Sequence, residues 1–157
     1  MVAVETLCPC ELFAGLSEEE LTQIAAIADE ESYQAGQLIC AEREQANRLF
    51  ILYEGCVQLH IHLQSPVEPD WEMTIEEVEP GRIFGWSSLV KQRQFTASAR
   101  AMGPVRVMTI KADELNTLFE RDPHIGFVVM KQLAEVIASR LHRTREVCQK
   151  DSLETPS

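Results

Sequence analysis

At 157 residues the chain holds enough for one domain with a real core and too little for two ordinary ones. Hydrophobic residues make up 45% and charged residues 25%, a globular composition in which no run approaches the roughly 18 consecutive apolar residues of a membrane span. The formal charge of −11 argues against nucleic-acid binding by this chain alone, because such binding draws on Lys and Arg to neutralise phosphates.

The segment Met1 to Cys10 has no basic region and only scattered apolar residues, so it does not read as an export signal. The expected location is cytoplasmic, and residues 1–11 read as an N-terminal extension. The five cysteines (Cys8, Cys10, Cys40, Cys56, Cys148) lack a regular even framework and are expected as free thiols. Cys8-Pro9-Cys10 leaves open a thiol or metal redox sensor, but a cluster usually takes four cysteines and Cys-x-Cys is not its common spacing.

The first element is announced by Ser17-Glu18-Glu19-Glu20. The serine hydroxyl can accept from the Glu20 amide while the Glu20 side chain returns to the Ser17 amide, which is a capping box. Leu21, Ile24, Ala25 and Ala28 follow at helical spacing, predicting a short helix to about Asp29.

From Ser32 to Ile110 short apolar stretches alternate with breaks at Gly36, Glu54-Gly55, Ser65-Pro66, Pro69-Asp70, Pro80-Gly81, Gly85 and Gly103-Pro104. The predicted strands are residues 38–40, 49–53, 56–63, 72–78, 96–101 and 105–110. This spacing points to a barrel or jelly-roll-like sandwich. Val57 to Leu63 alternates strictly and places His60 and His62 on the wet face, which sets exposed histidines ahead of a metal site. Thr96 to Ala101 alternates with alanine alone, implying a close neighbour or the wall of a cavity.

After Lys111, Asp113 is a candidate cap for a helix carrying Leu115, Leu118 and Phe119, and Asp122-Pro123 restarts a second helix. That long helix, from Pro123 to about Gln149, places Met130, Ala134, Ile137, Leu141, Thr144 and Cys148 four and three residues apart, a recognisable coiled-coil seam. The basic residues Arg140, Arg143, Arg145 and Lys150 are interleaved with Glu135 and Glu146 and read as a solvated face. Residues 150–157 form a polar tail. The fold class is thus mainly β with flanking helices, with a short N-terminal and a long C-terminal helix.

Leu12-Phe13-Ala14-Gly15-Leu16-Ser17, Gly36, Phe50-Ile51-Leu52 before Glu54-Gly55, and Glu79-Pro80-Gly81 leading to Phe84-Gly85 together resemble cyclic-nucleotide-binding domains of the catabolite activator protein type. The resemblance implies a double-stranded β-helix (β roll) over residues 12–149. It also implies a phosphate-binding cassette that begins Phe-Gly-Glu, passes through a short helix and ends with Arg before a small-residue strand. In such a cassette glycine admits the phosphate, arginine neutralises it and glutamate accepts from the ribose.

Here the segment runs Phe84-Gly85-Trp86-Ser87-Ser88-Leu89 and, after Arg93, Phe95-Thr96-Ala97-Ser98. Trp86 stands at the glutamate position and Phe95 at the arginine position. Losing one charge-assisted hydrogen bond in a buried site costs about 1.5–3 kcal/mol, so tight cyclic AMP binding is not expected. Arg93 is a candidate substitute cation, with Arg100 second. Trp86 and Phe95 either stack on a planar aromatic or nucleotide-like ligand or fill the cavity.

No nucleophile elbow or Gly-rich nucleotide loop is present, and no enzyme activity is expected. With the long helix running almost to the last residue given, no DNA-binding domain is expected. The functional expectation is therefore a stand-alone sensory or regulatory domain in signal transduction, a homodimer through the helix of residues 123–149 with a protein effector. The alternative is a structural or protein-interaction module with a plugged pocket.

Overall fold

The computed structural model describes residues 2–63, 71–91 and 93–154. The predicted breaks at Ser65-Pro66 and Pro69-Asp70 fall outside the described residues. The order is α1 (Val4–Leu7), α2 (Glu18–Ile27), β1 (Ala28–Tyr33), β2 (Leu38–Cys40), β3 (Arg48–Glu54), β4 (Val57–Leu63), β5 (Trp71–Val78), β6 (Ile83–Phe84), a 3₁₀ turn (Trp86–Leu89), β7 (Ser98–Ala101), β8 (Val105–Lys111), α3 (Ala112–Arg121) and α4 (Pro123–Glu154).

Among the described residues two four-stranded antiparallel sheets, ordered β1-β8-β3-β6 and β2-β7-β4-β5, make the roll. The apolar run Leu49-Phe50-Ile51-Leu52 shows how they are layered. Phe50 and Leu52 face the space between the sheets with Val57, Leu59, Phe84 and Phe95. Leu49 and Ile51 face the helices with Leu21, Ile24, Leu115 and Val129. A strand covered on both sides has no wet face, so its sequence reads as continuous rather than alternating apolar.

The capping box of α2 forms as its residues predict, with the Glu20 amide donating to Ser17 Oγ at 3.2 Å and the Ser17 amide donating to Glu20 Oε1 at 3.0 Å. The helix nevertheless ends at Ile27, and Ala28-Asp29-Glu30-Glu31-Ser32-Tyr33 becomes β1. Among the described residues this edge strand pairs with β8 alone. Its charged residues suit an open edge but hide it from a search for apolar alternation. The two-residue β6 was missed for its shortness, and β7 starts at Ser98 rather than Thr96.

Three further expectations are corrected. Asp113 does not cap α3, which begins at Ala112 behind Lys111 with no side-chain cap. Helix α4 runs on to Glu154, through part of the stretch read as a polar tail. His62 is exposed, but His60 is only 7% exposed. Strand β4 lies between β5 and β7, and its register with β5 shifts between Leu59 and His60. His60 Nε2 lies 3.8 Å from Glu72 Oε1 of β5, so a position that period-2 alternation alone would leave wet carries a buried side chain beside a carboxylate. Residues 2–11 also enter the body of the domain, with Leu7 and Cys10 buried in the core beneath the helices.

Candidate functional site

The cassette segment leaves the sheet at β6, where Phe84 pairs with Phe50 and their rings stack at 4.9 Å. Gly85 then turns the chain with φ +76. A Cβ there would lie 2.9 Å from Phe50 Cδ2 and 3.2 Å from Phe95 Cε1, so both the backbone angle and the close rings require glycine. The 3₁₀ turn Trp86–Leu89 follows, held by the Ser88 amide and hydroxyl, both donating to the Gly85 carbonyl.

Phe95 is fixed from both sides. Its amide donates to Glu44 O at 3.0 Å and its carbonyl accepts from the Arg43 amide at 2.8 Å. Its ring is buried and tilted against Phe50 at 6.3 Å. Phe95 is therefore part of the core between the sheets.

Beside it lies a cavity of about 220 Å³, whose cassette wall is Phe84, Gly85, Trp86, Ser87, Phe95, Thr96 and Ala97. The structure thus brings seven of the predicted site residues together. Ser88, Leu89, Arg93 and Ser98 are not among the lining residues. Arg93 instead reaches Asp113 at 3.3 Å on the surface, on a backbone with φ +45. Arg100 donates to the Gly36 carbonyl, and Ser98 Oγ accepts from the Glu42 amide at 2.8 Å. Neither arginine offers its charge to the cavity.

The opposite wall was not expected. Leu59, Ile75 and Glu76 come from β4 and β5, while Ile137, Arg140, Leu141 and Thr144 come from α4, which forms part of the wall. Arg140 corrects the reading of a solvated basic face, because it is only 6% exposed. Its guanidinium carbon sits 4.7 Å from the centre of the Trp86 ring. Its Nη2 donates to Glu11 Oε1 at 3.3 Å, and its Nε is 3.2 Å from Glu76 Oε1.

Glu11 has a second task, since the same Oε1 accepts from the Ile83 amide at 3.0 Å. One carboxylate therefore ties the N-terminal segment to both the cassette strand and α4. Burial lowers the pKa of the Arg140 guanidinium, opposed by Glu76 and Glu11 and reinforced by Arg82 and Arg143.

The inner stripe of α4 (Ile125, Val129, Leu133, Val136 and Arg140) packs on the domain. Arg140 continues that stripe at the i+4 position after Val136, which is the signal that would have placed it inward. The seam read from the sequence lies elsewhere on the helix, with Met130, Ala134, Leu141 and Thr144 exposed and Ile137 partly covered. The side chain of Cys148 falls outside the described residues.

Cys8, Cys10, Cys40 and Cys56 are free. Burial pushes the Cys10 and Cys40 thiols up to about 12. Since the thiolate is the reactive and ligating form, these two behave as small core hydrophobes. Among the described residues no helix is long and apolar enough to cross a membrane.

A two-sheet roll with a glycine turn and a 3₁₀ turn between β6 and β7, packed against the long helix α4, defines a β-roll class of domain. Residues 30–122 match the family model for the cyclic nucleotide-binding domain, and the chain belongs to that family. A solved structure named for a cyclic nucleotide-binding protein of Geobacter metallireducens is similar over 90% of this chain and all of its own, with 38% identity and a TM-score of 0.76.

The catabolite activator protein of Thermus thermophilus is 25% identical with a TM-score of 0.74, over 90% of this chain and 63% of its own. Glutaminase 2 of Bradyrhizobium diazoefficiens is 28% identical over 130 residues, which is 83% of this chain and 19% of that protein. This chain spans only 14–20% of the length of that glutaminase, the related Glutaminase 1 and a nematode cGMP-dependent kinase. The resemblance read from the sequence is therefore borne out for family and fold.

Proposed function

We propose that this domain is a non-enzymatic sensor whose ligand is not tightly bound cyclic AMP, and that it signals to a protein partner through α4. The observation that carries this reading is Phe95. At the position where the family's cassette places a phosphate-binding cation, a buried ring packs against Phe50, and no predicted substitute cation reaches the cavity. A phosphate entering there would be desolvated beside aromatic carbon, at a cost of several kcal/mol without a partner.

The cavity supports a ligand rather than a wholly filled roll. It measures about 220 Å³, below the roughly 300 Å³ at which pockets for drug-sized ligands begin. It is lined in part by Ile137, Arg140 and Leu141 of α4, so any occupant meets the helix directly. A ligand with different affinity for two positions of α4 would shift the population between them. The exposed Met130 and Leu141 support pairing of α4 with a second copy.

Thermal denaturation at fixed protein concentration tests the ligand reading, because a ligand bound to the native state alone stabilises by RT ln(1 + [L]/Kd). Cyclic AMP at 100 µM should leave Tm unchanged within error, while members of a panel of planar heteroaromatic compounds raise it. Micromolar cyclic AMP binding would overturn the first half. A flat response to every compound would favour the alternative of an interaction module closed by Trp86 and Phe95. Sedimentation of the Leu141→Glu variant, expected to be monomeric where the parent is dimeric, tests the pairing.

A further inference from the structure

Among the described residues, three buried side-chain atoms have no hydrogen-bond partner: Glu76 Oε1, Arg140 Nε and Arg140 Nη1. All three belong to one pair of residues, and both residues line the same cavity. Nε and Oε1 are only 3.2 Å apart, so their charges are matched, yet they are not aligned for a hydrogen bond. Buried donors and acceptors left in this condition are costly, and the rest of the cavity wall is mainly apolar: Leu59, Ile75, Phe84, Phe95 and Ile137.

The charge balance narrows what could complete these atoms. Arg140 already faces Glu11 and Glu76, and Arg143 stands 3.8 Å from Glu76. A carboxylate or phosphate brought to Arg140 would meet the Glu76 carboxylate as well. A cation brought to Glu76 would meet Arg140. A neutral group carrying an N–H donor beside a carbonyl acceptor avoids both conflicts.

We propose that the Glu76–Arg140 pair is the polar anchor of a site for a small, neutral, planar lactam, with the lactam N–H donating to Glu76 and its carbonyl accepting from Arg140. This rests on the ligand-binding reading above and names the chemical class of the ligand. The ring body lies against the apolar wall, whose volume suits a two-ring compound better than a whole nucleotide. Because Arg140 belongs to α4 and stacks on Trp86 of the cassette, a bound lactam joins sheet, cassette and helix through one contact.

Calorimetry with 2-quinolone, 1-methyl-2-quinolone, 2-naphthoate and cyclic AMP tests the assignment. 2-Quinolone should bind. Its N-methyl analogue, with the donor blocked, should bind at least tenfold more weakly, as should 2-quinolone to the Arg140→Met variant. Methionine preserves length and apolar packing at a buried charge, and its unliganded melt reports whether it folds; the methylated probe needs no variant at all.

Equal binding of the two quinolones, or 2-quinolone binding unchanged in a folded Arg140→Met protein, overturns the anchor. Binding of 2-naphthoate or cyclic AMP in place of 2-quinolone overturns the lactam class and leaves a ligand-binding domain standing. Silence from all four probes, together with a flat panel of heteroaromatic compounds, removes both.

Discussion

Replacing Phe95 with alanine tests whether the position normally given to a phosphate-binding arginine has become part of the core. The ring is 6% exposed and in tilted contact with Phe50 at 6.3 Å. Burying such a side chain contributes about 1.5–3 kcal/mol by transfer, and an aromatic pair adds about 0.5–1.5 kcal/mol. Phe→Ala substitutions in cores cost about 3–5 kcal/mol once the void is included. Here the new void opens into a cavity that already exists, so the lower end, about 3 kcal/mol, is expected.

For a chain of this length that corresponds to a fall in Tm of roughly 6–12 °C, read by calorimetry at fixed protein concentration. The enlarged cavity should also take a ring. Toluene at ten times its Kd restores about 1.4 kcal/mol to the variant and little to the parent. A loss below about 1 kcal/mol with no toluene rescue would refute the reasoning and make Phe95 a peripheral residue open to a ligand.

Other substitutions probe separate parts of the argument. Gly85→Ala combines a left-handed backbone, about 1–2 kcal/mol for an L-residue, with a Cβ only 2.9 Å from Phe50, so chemical denaturation should show a loss of at least about 2 kcal/mol. Ser17→Ala removes one half of the capping box and should cost about 1 kcal/mol in the same assay.

His124 Nδ1 lies 2.6 Å from Glu20 Oε2, which raises the histidine pKa; Glu20 is lowered by the Ser17 backbone first and by His124 second. The histidine's contribution is complete below its ordinary 6.5 and is lost as pH rises through the raised value. The glutamate's is complete above its ordinary 4.5 and is lost as pH falls through the lowered value. The bridge between α2 and α4 should therefore hold best between those limits. Ring resonances of His124 should titrate above 6.5 in the parent and closer to it in Glu20→Gln; an unchanged midpoint would show that the contact does not form in solution.

Much of the architecture was legible before any coordinates. Glycine breaks, the apolar run Leu49 to Leu52 and the Ser17 box are local patterns, legible from residue type and short-range spacing alone. The aromatic residues Trp86 and Phe95 of the cassette segment were equally legible, because placing them needs only positions counted from Phe84-Gly85. Strand β1 was not, since its charged residues serve an open edge and carry no apolar rhythm. His60 departs from its reading because alternation gives a face, whereas exposure depends on the side chains packed around that position.

The amino-acid order alone determined that this chain folds as a β roll of the cyclic nucleotide-binding family. Only the tertiary structure decided which polar groups meet at the cavity. Glu11, Glu76, Trp86 and Arg140 are separated by ten to more than a hundred positions, and folding α4 into the cavity wall brings them together. Helical periodicity can point Arg140 inward, but burial and partnership depend on contacts between distant segments, which no local pattern records.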